Sequence, residues 1–189
     1  MTYATIRPPL AEPLTLAEAK AHLRLDGSDE DDLLLPLVKA AREHLERLSG
    51  LCLMTQALRL YRDDWPADGV IQIARGPVQA IESVTVYDTG GEPVAVSLDG
   101  HRLDGASHPA RLTLNQFVNS HAAINGIEID FVAGFGDAAT DVPDMLKRAL
   151  TMHVAHMFEW RGAVSMAGQP AGVPAGYDRL VTPYLPARL

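Results

Sequence analysis

Apolar positions recur with a helical period near the start of this chain, with a period of two through its middle, and with a helical period again near its end. Leu16, Ala19 and Leu23 mark a short helix. Thr15 opens it with Glu18 three residues on, the Thr-x-x-Glu capping pattern, and Asp26-Gly27 ends it. Leu34, Leu37, Val38, Ala41, Leu45 and Leu48 follow i, i+3, i+4, i+7 spacing. They predict an amphipathic helix from Ser28 or Asp29 to about Ser49, closed by Gly50. Lys39, Arg42, Glu43, Glu46 and Arg47 are assigned to its wet face, with Lys39–Glu43 and Glu43–Arg47 at i, i+4 spacing. Pro36 removes one backbone bond and predicts a kink.

From Thr55 to Phe131 the period is two, with strands predicted at 56–62, 70–74, 81–88, 93–98, 111–114 and 127–133. Asp68-Gly69, Gly76-Pro77, Gly90-Gly91, Asp99-Gly100 and Asn125-Gly126 supply the turns. Gly134 and Gly136 break the last strand, and Pro143 starts a helix reaching about Arg161. Met145, Leu146, Ala149, Leu150, Met152, Val154, Ala155, Met157 and Phe158 make that helix apolar on nearly every side, which predicts burial all round. Pro8, Pro9 and Pro13 predict an extended N-terminal arm. Glycine and proline throughout 163–189 predict an extended tail, mobile in the free subunit and ordered in the assembled particle, with 177–189 dispensable for the fold. The expected architecture is α+β: a small helical bundle with an inserted antiparallel β-unit and extended arms at both ends. It is read as one domain over 1–189, with a helical core at about 14–50 and 143–162, the β insertion at about 55–133, and the tail from about 163.

Nearly half the residues are apolar, enough for a core without metal or disulfide help. The single cysteine, Cys52, excludes an internal disulfide and reads as a small buried apolar residue. No leader-like or membrane-spanning apolar run is present, so synthesis and folding in the cytoplasm are expected. The net charge of −8 and the scattered Lys and Arg argue against tight DNA binding. An acidic surface that DNA slides past remains compatible, because it repels phosphate.

Candidate chemistry is sparse. His153, His156 and Glu159 lie on one helix, but i, i+6 spacing turns Glu159 well away from His153, so polar edges are preferred over a metal site. Gly134-Phe-Gly136-Asp-Ala-Ala139 resembles a dinucleotide fingerprint, yet the helix begins too late to aim its N-terminus at a phosphate. Asp29–Asp32 lack the alternating spacing of a calcium loop and suit the first turn of a helix. No catalytic residue, cofactor or metal ligand is assigned. Trp160 fits a core or an interface equally. Arg161, Tyr177, Tyr184, Leu185 and Arg188 are read as interface residues of a tail without its own core.

Four blocks carry a family resemblance. AGFGDAATDVPDMLKRALTMHVAHMFEWRG (133–162) resembles a segment of the head–tail connector, or adaptor, proteins of tailed bacteriophages and of gene transfer agents. LTLAEAKAHLRLDGSDEDDLLLPLVKAAREHLERLSG (14–50) is similar to their opening helices, RGPVQAIESVTVYDTGG (75–91) to a strand pair, and RLVTPYLPARL (179–189) to their ending. The resemblance implies a structural protein with no cofactor. It implies a closed ring, usually of twelve copies, between a portal protein and a tail-side neck protein, with double-stranded DNA passing through and no membrane contact. Other readings are a stopper or tail terminator, or a small nucleotide- or metal-dependent enzyme.

Overall fold

Thr15 and Glu18 form the reciprocal cap that their spacing predicts: Glu18 N–H donates to Thr15 Oγ1 at 3.2 Å, and Thr15 N–H to Glu18 Oε2 at 2.8 Å. The computed structural model in which they sit describes residues 2–118, 120, 124–160 and 173–185. The chain divides into two units. One is made of 1–10 and 55–135 and is a β unit; the other is made of 11–54 and 136–189 and carries the helices.

The helical unit holds α1 (Leu16–Leu23), α2 (Asp31–Ser49), α3 (Asp144–Glu159) and α4 (Tyr177–Val181). α3 packs against α1, α2 and α4. Its buried side chains are Leu146, Ala149, Leu150, His153 and Val154, which lie on one face. The expectation is burial against the subunit's own domain or a neighbouring subunit; within the subunit one face is buried and Met145 is 41% exposed. α2 begins two or three residues later than its pattern suggests and continues through Pro36. Gly50 closes it at φ 76°, its N–H donating to the Glu46 carbonyl at 2.9 Å. Leu48, assigned to the apolar stripe, is exposed, whereas Arg42 and Glu46, assigned to the wet face, are buried.

Partners explain that exchange. Arg42 Nε donates to Glu12 at 2.7 Å and Arg42 Nη1 to Glu46 at 2.9 Å. The other Glu46 oxygen accepts from Leu53 N–H at 2.8 Å. The network ties the segments on both sides of α2 to the helix. Charges buried in this way are tolerated because each is paired and hydrogen-bonded. Cys52 lies buried beside it, as expected.

The β unit contains two antiparallel sheets. The larger has the order β1 (Thr2–Arg7), β2 (Gln56–Arg62), β8 (Ile127–Ala133), β4 (Val78–Tyr87), β5 (Pro93–Ala95). The smaller has the order β3 (Ile71–Ile73), β7 (Ala110–Thr113), β6 (Arg102–Asp104). The register aligns Leu58, Phe131 and Ile81, then Leu60, Ile129 and Val84, so one face of the larger sheet is apolar and buried. On the opposite face Arg59 binds Asp130 through two bonds, at 2.6 and 2.8 Å, and Glu128 at 2.6 Å. Gly105 lies where this unit tolerates no side chain: a Cβ there would stand 2.0 Å from the Val78 carbonyl oxygen.

Two segments differ from their sequence reading. The N-terminal arm is extended, but residues 2–7 are the edge strand β1, paired with β2. Within the tail, Tyr177–Val181 form a helix and Tyr177 is fully buried.

Candidate assembly surfaces

The two cofactor-like patterns are used up by local structure. Gly134 takes φ 140° and its N–H donates to the Pro77 carbonyl at 2.9 Å. The Asp141 carboxylate accepts from Ala138 N–H at 2.9 Å, and a Cβ on Gly136 would collide with that carboxylate at 2.1 Å. Gly136 therefore makes room for a carboxylate that closes the turn, where a dinucleotide site needs open backbone donors. Among the described residues, no group of three or more His, Cys, Asp or Glu could hold a metal ion.

His153 occupies the interior of the helical unit. Its ring meets His44 at 5.0 Å and Tyr177 at 5.5 Å between centroids, both edge-on. Among the described residues, neither His153 Nδ1 nor the Tyr177 hydroxyl has a hydrogen-bond partner. Burial, and then the neighbouring His44 and His156, push the His153 imidazole down to about 4. Burial, and then Asp178, push the Tyr177 phenol up to about 12.

This gives a pH dependence with a definite sign. Between about pH 6.5 and 4 the unfolded chain protonates His153 and the folded chain does not. The stability is fully present above that window and falls as the pH drops through it, by about 3 kcal/mol. His153→Phe is expected to flatten this part of the profile, read as the denaturant midpoint at pH 7 and pH 4.5. An unchanged slope would assign the loss to other groups.

Of the expected interface residues, the structure brings Trp160, Tyr184 and Leu185 at least partly to the surface, with Trp160 44% exposed. Tyr177 is instead part of the subunit's own core. Arg161 and Arg188 lie outside the described residues. Leu35, Leu48 and Met145 add further exposed apolar side chains on the helical unit. Sequence reading missed the Arg42 network. It also missed a loop cluster on the β unit in which Trp65 meets Phe117, because non-periodic loops give no pattern to count.

The described residues form two units, each with its own buried core, and leave several large apolar side chains exposed. The model of the phage gp6-like head-tail connector protein family matches residues 13–91, so the resemblance to head–tail connectors holds for that segment. No curated protein matches in sequence. Solved structures match along the whole chain. A chain of the neck of the empty gene transfer agent particle, computed with C6 symmetry, is 25% identical, with TM-score 0.83, covering 100% of this chain and 97% of that one. A chain of the neck of the native particle, computed with C12 symmetry, is 25% identical with TM-score 0.78 and the same coverage. A chain of the native gene transfer agent virion has the same fold at 24% identity and TM-score 0.83, again covering 100% and 97%.

Proposed function

We infer that this chain is a structural adaptor in the neck of a phage-like particle. Copies close into a ring with a head partner on one side and a tail partner on the other. The observation that carries this reading is the likeness along the entire chain to a neck component of gene transfer agent particles. The connector family model over α1, α2 and β2 to β4 supports it, and favours an adaptor over a stopper or terminator. A twelve-fold ring agrees with the C12 symmetry used for one of the similar necks. Portal protein on the head side and a tail-side neck protein are the proposed partners. DNA passes through the ring without tight binding, consistent with the net charge of −8. The subunit is made in the host cytoplasm, functions as one connector domain, and catalyses nothing.

The test is removal of the gene from a particle-forming host, followed by electron microscopy. Filled heads without tails are expected, with tails restored by supplying the chain in trans. Tailed particles at the normal frequency would overturn the neck assignment. Nucleotide or nucleic-acid turnover abolished by a single side-chain change would overturn the non-catalytic part.

A further inference from the structure

We propose that α4 is an acid-released latch: it lifts off α2 and α3 when His153 takes up a proton, while those two helices stay folded. Five residues are too few for a helix that stands alone, so α4 depends on its seat. That seat is apolar. Its buried side chains are Tyr177 and Val181. Among the described residues, no hydrogen bond or ion pair ties 173–185 to the rest of the unit. Tyr177 N–H donates to the Pro174 carbonyl at 3.1 Å, Leu185 N–H to the Thr182 carbonyl at 3.2 Å, and the Thr182 hydroxyl to the Asp178 carbonyl at 2.6 Å, all inside the segment. The other helices are laced together by charge. Lys147 of α3 holds Glu18 of α1, and Lys20 of α1 holds Asp31 of α2, both at 2.7 Å. α4 is therefore the helix that leaves at least cost.

The ring cluster makes that departure sensitive to acid. His153 lies edge-on to both Tyr177 and His44 and is 5% exposed. A proton on it finds no counter-ion. α2 brings His44, α3 brings His156, and α4 brings Tyr177 and Asp178, the last of which bears on the Tyr177 phenol. Glu18 of α1 is bound to Lys147, and Glu43 and Glu46 of α2 to Arg42. Glu159, six residues along α3, turns away from His153. Charging His153 in the closed seat therefore buries an unpaired cation, which is costly.

Lifting α4 removes the fully buried Tyr177 ring from His153 and gives the charge water. With the seat closed, the imidazole takes its proton only near pH 4; opened, it does so near its ordinary 6.5. The closed form binds fewer protons, so each step of acid below about pH 6.5 favours the open one. Between pH 7 and pH 5 the ratio of open to closed rises about twentyfold.

Amide hydrogen exchange of the full chain tests this, with rates corrected for the intrinsic effect of pH. At pH 7 the amides of 177–185 should be less protected than those around Val38, Ala41 and Leu45 in the buried stripe of α2. Their protection should fall about twentyfold at pH 5, with α2 still the slower to exchange. His153→Phe should abolish the fall. Asp178→Asn, a change at an exposed side chain, should leave it in place. Protection of 177–185 that matches α2 at both pH values would overturn the latch, because the helix would then leave only with the whole unit. Protection that does not change with pH, or that falls equally in His153→Phe, would overturn the role of His153. The comparison within the unaltered chain decides the matter even if His153→Phe fails to fold.

Discussion

Leu150→Asp is expected to leave almost no soluble subunit. Leu150 sits on the inner face of α3, 1% exposed, on the helix that packs against all three other helices of its unit. The nearby cation on the same helix, Lys147, is already bound to Glu18 at 2.7 Å. That contact, with Thr15 N–H second, holds the Glu18 carboxyl down at about 2. A carboxylate at position 150 is therefore placed on a buried face, with the neighbouring Lys147 already engaged. Burying it costs several kcal/mol, against a total stability on the order of 5–15 kcal/mol. Met145→Asp, on the exposed side of the same helix, is the control and should change stability by about 0.5 kcal/mol or less. Soluble yield and melting temperature read both. A normally melting Leu150→Asp protein would show that this face of α3 is not the core.

Tyr177→Ala should be the second most damaging change. Tyr177 is fully buried and its ring lies against His44 and His153, 6.2 and 5.5 Å between centroids. Emptying such a site costs roughly 3–5 kcal/mol, or about 10 °C in melting temperature for a protein of this size. The hydroxyl, in contrast, has no partner among the described residues. Tyr177→Phe is therefore expected to be neutral or to stabilise by about 1 kcal/mol, since it removes a buried unsatisfied group. The pair separates packing from polarity. Truncation before Tyr177 should destabilise as Tyr177→Ala does, contrary to the dispensable tail expected from composition. Normal melting of Tyr177→Ala would restore the picture of a free arm.

The places where sequence and structure part follow from what periodicity can carry. The cap at Thr15, the stop at Gly50 and strands β2 and β8 were legible because each rests on spacing within one segment. β1 was hidden by Pro8, Pro9 and Pro13: the prolines end the strand, and its pairing with β2 bridges more than fifty residues of sequence. β6 is three residues long, too short for alternation to register. α4 is five residues inside a Gly/Pro-rich stretch, and its buried side chains are only Tyr177 and Val181. For Arg42 and Glu46 the helical wheel assigned water by residue type. Their burial depends on Glu12 and on Leu53 N–H, which helix spacing does not show. The Trp65–Phe117 contact was equally out of reach, since the two rings come from loops far apart in sequence.

The alternation of the two units along the chain has a consequence for synthesis. α1 and α2 emerge early, but the helix that covers Leu34, Val38 and Leu45 arrives only with Asp144–Glu159. Roughly 110 residues lie between the end of α2 and the end of α3, on the order of ten seconds of translation. During that interval the nascent chain displays an amphipathic helix with its greasy side open. The ribosome-bound intermediate is therefore the form most exposed to aggregation and most in need of a chaperone. An interrupted message would yield no helical unit able to fold on its own.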